Sequence, residues 1–249
     1  TVGFANEAPY AYEDENGELQ GAAVEIAKAV FGELGIPEVE GSLSQWNQLI
    51  PSVQTGKVDA VTAGMAINAD RCPQVSFSEP TVKYGEGLVV AEGNPHNLIS
   101  YEDIAANPDI KVAVMSGATE NDFLIEAGVS EDQIVSAPDI AATLNMVQTD
   151  RAQVTTATEM TVKDAMEQMD DSGLEYVVDF VQPDVPGVPS YGATAFSPDD
   201  TGLRDAYNEK LKELRDNGTI EEILNSLDLW GSENVPEDDV TMEQLCQEA

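Results

Sequence analysis

The chain has 249 residues, with 47 acidic against 11 basic side chains, so its formal net charge is −36. That balance excludes an electrostatic nucleic-acid binder, which needs a basic face, and fits a strongly solvated surface such as a halophile's or one in an acidic milieu outside the cytoplasm. The length allows two domains of ordinary size, no apolar run reaches the roughly 18 residues of a membrane span, and a single histidine with two cysteines leaves no His-rich metal site, four-ligand zinc site or cofactor motif.

In chain order, Val2–Ala5 predicts a first strand, followed by a loop that carries Glu7, Pro9, Tyr10 and Tyr12. Tyr10 and Tyr12 lie two apart, so an extended segment would put them on one face. Asn16-Gly17 predicts a hairpin turn. The acidic run Glu13-Asp14-Glu15 lacks the ligand spacing of a calcium loop and reads as a solvated turn. Ala22–Leu34 predicts an amphipathic helix with Val24, Ala27, Val30, Phe31 and Leu34 inward and Gly35 at its C-cap. A strand near Val39–Leu43 leads to a helix over Trp46–Thr55, ended by Gly56.

The stretch Gly64–Pro80 organises the chain. An apolar run, Ala60–Ala63, predicts a buried strand that stops at Gly64, where backbone can approach a ligand closely. A short helical turn over Asn68–Arg71 follows, limited by Pro73. Arg71 then stands just past a strand end, where open α/β sheets bind ligands, and its planar fork suits a carboxylate. The plain alternative is a surface pair with Asp70 or Glu79.

Leu88–Ala91 predicts a strand leaving this region, and Gly93-Asn94-Pro95 breaks the pattern. Ser100 caps a helix over Tyr101–Ala106. A second α/β unit begins with a strand over Lys111–Met115 that ends at Ser116-Gly117-Ala118-Thr119, and the helix start there offers N–H groups to an anion. Thr119 reads equally as an N-cap. Strand and helix pairs follow over Ile134–Val147 and Val154–Met169, with Glu159 opening the last helix. A strand over Tyr176–Phe180 and a proline-punctuated loop precede a strand at Tyr191–Phe196. Helices over Asp200–Asn217 and from a Thr219 cap to Leu227 lead into a polar tail, Ser232–Ala249. Two strand-like crossings, near Val90 and Gly192, predict a discontinuous first lobe, 1–90 and 193–249, with a second lobe, 91–192, inserted.

The run of strand, Gly64-Met65-x-Ile67, a turn with Arg71, then Val75-x-Phe77-Ser78-Glu79-Pro80 resembles the amino-acid-type solute-binding proteins of ABC importers. Asn68 replaces their usual Thr and Thr81 their usual Tyr. Gly3–Tyr12, Asp70-Arg71-Cys72 and Ser78–Thr81 bring it closer to the ectoine- and hydroxyectoine-binding branch, with similarity from Thr1 to about Trp230. The resemblance implies a type II periplasmic-binding-protein-like α/β fold. Each lobe is a mixed sheet flanked by helices, and a two-segment hinge joins them. It also implies capture of a small zwitterion, with an importer permease as partner, a monomer outside the cytoplasm, and a signal segment removed before Thr1.

For an ectoine-like ligand the resemblance assigns Arg71 to the carboxylate, with Gly117 and Thr119 adding hydrogen bonds. It makes Tyr10 and Trp46 aromatic walls and Glu7 the acceptor for ring N–H groups; ordinary core packing is the alternative for Trp46, a surface carboxylate that for Glu7. Gly64 and Ala66 line the approach. Position 66 departs from both branches, which place a hydroxyl or an aromatic there. Glu159 corresponds to a region where amino-acid binders hold an ammonium, and reads as well as a first-turn charge at a helix start. Since exported chains meet oxidising compartments, Cys72 and Cys246 are expected to pair. The alternatives are a binding protein for a polar amino acid or betaine, a dehydratase-like enzyme on the same fold, and a receptor's sensory domain. No Ser-His-Asp or Cys-His set supports the enzyme, His96 lies in a breaker loop, and no transmembrane or signalling segment supports the receptor.

Overall fold

The structure, a computed structural model, describes residues 1–169 and 172–247, so the last two positions of the polar tail lie outside the described residues. The chain divides into two compact units, Thr1–Tyr84 with Ser190–Ala249, and Gly85–Pro189.

The first unit is built on a mixed sheet. Its strand order is Gly41–Leu43, Val2–Phe4, Ala60–Ala66, Ser190–Phe196 and Ser76–Phe77, and Val82–Tyr84 also pairs with Ser190–Phe196. Val2–Phe4 runs parallel to both neighbours, whereas Ser190–Phe196 runs antiparallel to Ala60–Ala66. Ala60–Ala66 is buried at every position, which is why its sequence shows no polar alternation. The helix Ala22–Glu33 packs on this strand, buries Val24, Ala27 and Val30, and is followed by Gly35 at φ +78°. Leu49, Val53, Val61, Met65, Phe77 and Ala195 make the core behind the strand.

Several local expectations change. The central strand continues through Gly64 to Ala66 instead of stopping, because Gly64 adopts φ +64° inside a bulge. The register shifts there: Ala193 faces Met65 but Ala195 faces Val61. Trp46–Gln48 is a 3₁₀ turn and only Leu49–Gln54 is α-helical. The hairpin loop is wider than Asn16-Gly17, since Glu13 pairs with Leu19 and the Asp14 carboxylate accepts from the N–H groups of Asn16 and Glu18. Gly218, left-handed at φ 85°, precedes the helix Thr219–Asn225 in the place expected of Thr219.

The second unit is a five-stranded mixed sheet in the order Ile134–Ala137, Val112–Met115, Val154–Thr158, Glu86–Ala91 and Leu174–Tyr176. Its core joins Leu88, Val90, Tyr101, Ile104, Val112 and Leu124. Ser100 caps Tyr101–Ala106 by accepting from the Asp103 N–H at 3.1 Å. The chain enters this unit after Tyr84 and leaves it before Ser190.

Candidate functional site

Arg71 lies in a turn directly beyond the Ala60–Ala66 strand, and is 8% exposed. The turn is held by Cys72 N–H on the Asn68 carbonyl at 3.0 Å and by Gln74 N–H on the Arg71 carbonyl at 2.9 Å. The Asn68 side chain caps it, accepting the Arg71 N–H at 2.9 Å. The guanidinium donates from Nη1 to the Ala66 carbonyl at 3.0 Å, and its carbon stands 5.7 Å from the Trp46 ring centroid. An arginine fixed by a carbonyl and an aromatic face is oriented before any ligand arrives. Trp46 therefore meets the Arg71 cation in this structure.

Glu7 and Tyr10 belong to a tight turn, not an extended segment. Tyr10 and Ala11 N–H groups both donate to the Glu7 carbonyl, and Glu7 bridges Ala11. Tyr10 and Tyr12 consequently do not alternate along one strand face; Tyr10 is 2% exposed and Tyr12 is half-buried. The Tyr10 ring lies edge-on to both Tyr84 and Trp230, each at 5.1 Å between centroids. It covers Gly64 so closely that a Cβ there would strike the ring. The Tyr84 hydroxyl donates to the Gly64 carbonyl at 2.7 Å. Gly64, Ala66, Tyr10, Arg71 and Trp46 thus form one connected set within the first unit. Glu7 is buried in the neighbouring turn, at 8% exposure.

In the second unit, Gly117 is exposed at φ +85° between the strand Val112–Met115 and the helix Glu120–Glu126. Thr119 precedes that helix but makes no side-chain cap bond. Glu159 begins Glu159–Gln168, and its carboxylate is 3.9 Å from Lys163, one turn on. Lys163 in turn lies 5.7 Å from the Tyr176 ring centroid. Burial first, and the Glu159 charge second, push the Tyr176 hydroxyl pKa up.

The sequence matches the bacterial extracellular solute-binding proteins, family 3, over residues 1–227. The chain belongs to that family. A probable amino-acid ABC transporter periplasmic-binding protein of Sinorhizobium fredii is 34% identical over 99% of this chain and 82% of its own length. The crystal structure of EhuB in complex with hydroxyectoine is similar at a TM-score of 0.87 and 32% identity, covering 98% of this chain and 93% of that one. An ancestral amino acid-binding protein, a precursor of cyclohexadienyl dehydratase, is similar at 0.76 and 28% identity, covering 90% of this chain and 93% of that one. The α/β architecture is that of type II periplasmic binding proteins, and this solute-binding protein is the ligand-binding component of an amino-acid-type ABC importer.

Around the candidate site, the capping role of Asn68 and the contacts of Tyr84 and Trp230 escape sequence reading, as does the burial of Glu86 in the second unit. Asn68 caps Arg71, Tyr84 holds the Gly64 carbonyl and Trp230 packs on Tyr10. Trp230 is one of two tryptophans, which is the only signal it offered. Its Nε1 is buried with no hydrogen-bond partner among the described residues. Glu86, fully buried on its strand, is hidden in a Tyr-Gly-Glu-Gly run that looks like a turn. It lies near the buried Tyr101, whose hydroxyl bonds with the Thr156 hydroxyl at 2.7 Å. Burial, then the charges of Glu86 and Glu120, hold the Tyr101 pKa well above its ordinary value.

The expected disulfide is present: Cys72 and Cys246 are bonded, with their Cα atoms 5.7 Å apart across a sequence separation of 174. It fastens the C-terminal tail to the residue next to Arg71.

Proposed function

We propose that this solute-binding protein captures a small zwitterion carrying a carboxylate, of the hydroxyectoine type, and hands it unchanged to a membrane permease outside the cytoplasm. The observation that carries this reading is the buried, oriented Arg71 guanidinium over Trp46. Arginine is the side chain suited to two parallel bonds with a carboxylate. The hydroxyectoine complex of a protein 32% identical over nearly the whole chain supports the ligand class. So does charge: a net −36 disfavours a purely anionic solute and leaves a neutral zwitterion unopposed.

In this reading Arg71, Trp46, Tyr10, Glu7, Gly64 and Ala66 are the ligand residues of the first unit, and Gly117, Thr119 and Glu159 are the candidates within the second, each taken by itself. The Thr119 hydroxyl, not used as a helix cap, suits a carboxylate oxygen. The protein acts as a monomer.

A second reading is a polar amino acid as ligand, favoured by the amino-acid ABC relative at 34% identity. Calorimetric titration with hydroxyectoine, ectoine, L-arginine and glycine betaine separates the two. The first predicts saturable binding of hydroxyectoine or ectoine with the ligand recovered intact. Binding of L-arginine alone replaces it with the second, and chemical conversion of the ligand overturns both.

A further inference from the structure

We propose that the C-terminal segment 231–247 is a strap that positions Arg71 for its ligand, acting through the Cys72–Cys246 bond. The inference deepens the reading of Arg71 as carboxylate anchor and rests on it.

The strap is attached at several points of the same unit, to Glu79 and to the strands Val82–Tyr84 and Ser190–Phe196. The Met242 N–H donates to the Glu79 carboxylate at 2.9 Å. The Glu237 carboxylate pairs with Lys83 and accepts from the Tyr191 hydroxyl at 2.8 Å. Asn234 Nδ2 donates to the Lys83 carbonyl at 3.0 Å. Leu245, with Val240, Met242 and Cys246 beside it, packs into the core cluster that contains Met65 and Ile67. Tyr191 closes the frame, because its carbonyl accepts the Ile67 N–H at 2.9 Å.

Two glutamine side chains brace the turn carrying Arg71: Gln74 Nε2 donates to the Asp70 carbonyl and Gln54 Nε2 to the Gln74 carbonyl, each at 2.9 Å. The turn's backbone is also held by Asn68 and by i→i+3 and i→i+4 contacts from Arg71 to Gln74 and Val75. Only the disulfide joins the turn covalently to the strap, and it does so one residue from the guanidinium's own backbone. A side chain ordered before binding spares the ligand that ordering cost, so a looser turn lowers affinity while the remaining attachments keep the fold. A strap that only stabilised the protein would shift melting and leave ligand affinity alone.

The test compares oxidised protein, the same protein in excess dithiothreitol (which passes two electrons to the bond and leaves two thiols), and Cys246→Ser. Hydroxyectoine and L-arginine are the probes, titrated calorimetrically. Nitrogen-15 relaxation of the Arg71 Nε–H group reports its order without any ligand. Opening the bond is expected to raise the Kd of the binding probe by about fivefold or more and to increase Arg71 motion, with melting still cooperative. In an Arg71→Lys background the further loss should largely vanish, since both changes act on one group. Unchanged affinity with an unchanged Arg71 signal overturns the proposal, and so does a full additive loss in the Arg71→Lys background. If Cys246→Ser fails to fold, the reduced wild-type protein decides. If neither probe binds oxidised protein, the ligand reading fails and the Arg71 signal alone decides the strap.

Discussion

A guanidinium at 8% exposure has shed most of its water, and the loss is offset only where its donors meet oxygen or its face meets an aromatic ring. Arg71 has both, in the Ala66 carbonyl and the Trp46 ring. Lysine keeps the charge but presents no fork and stacks poorly, so Arg71→Lys should weaken binding more than tenfold, about 1.4 kcal/mol or more. Calorimetry checks this, and an unchanged Kd would remove Arg71 from the site. The arginine itself was legible, because a strand, a turn and a cation in sequence suffice to place it. Its partner was not. Trp46 reads as core or as ligand wall because nothing in a linear pattern says which side chain a tryptophan meets across a sheet. The expectation that Tyr12 shares a face with Tyr10 fails for a related reason: their spacing suggested an extended run, whereas the Glu7 carbonyl accepts two backbone N–H groups and curls the segment.

Among elements, the bulge in Ala60–Ala66 matters most for the site. Gly64 has φ +64°, its carbonyl takes the Tyr84 hydroxyl, and Tyr10 covers its α-carbon. Alanine there meets both an unfavourable backbone region and the ring, so Gly64→Ala should cost about 1–3 kcal/mol and also weaken binding. Urea unfolding measures the first part, and a stability equal to wild type would contradict the bulge. Most element positions were legible from apolar runs and breakers: Tyr101–Ala106 falls where Ser100 and the periodicity predict it. The bulge was not, because a glycine inside a strand pattern is indistinguishable in sequence from one that ends it. The strap yields a pH prediction. Chiefly through the Lys83 hydrogen bond, Glu237 is held to a pKa of about 2, down from 4.5. A depressed carboxylate stabilises the fold fully above its unfolded pKa and loses that effect as pH falls through the folded one. The difference in urea midpoint between wild type and Glu237→Gln should therefore be steady above about pH 4.5 and shrink towards pH 2. A difference that grows on acidification would show that the pair does not act this way.

At the scale of the whole molecule, 47 acids against 11 bases leave at least 36 acidic side chains without a cation of their own. Surface pairs such as Lys212–Asp216 contribute about 0–1 kcal/mol each and weaken in salt. The repulsion among the excess acids weakens too, and it is the larger sum, because screening length falls from about 30 Å at 0.01 M to about 3 Å at 1 M. The melting temperature should therefore rise as sodium chloride increases over that range at pH 7. Choline chloride should act similarly, since screening does not depend on the cation. A melting temperature that falls with salt would mean that the pairs outweigh the repulsion. The same field bears on the ligand. A cationic solute such as L-arginine would be drawn by the acidic surface, and its affinity would drop as salt screens that attraction. A neutral zwitterion such as hydroxyectoine feels little net force, and under the proposed function it would meet Arg71, which is buried from screening. Its Kd should stay within about threefold from low to high salt. A steep salt dependence of hydroxyectoine binding would indicate that its capture depends on exposed charge and not on the buried guanidinium.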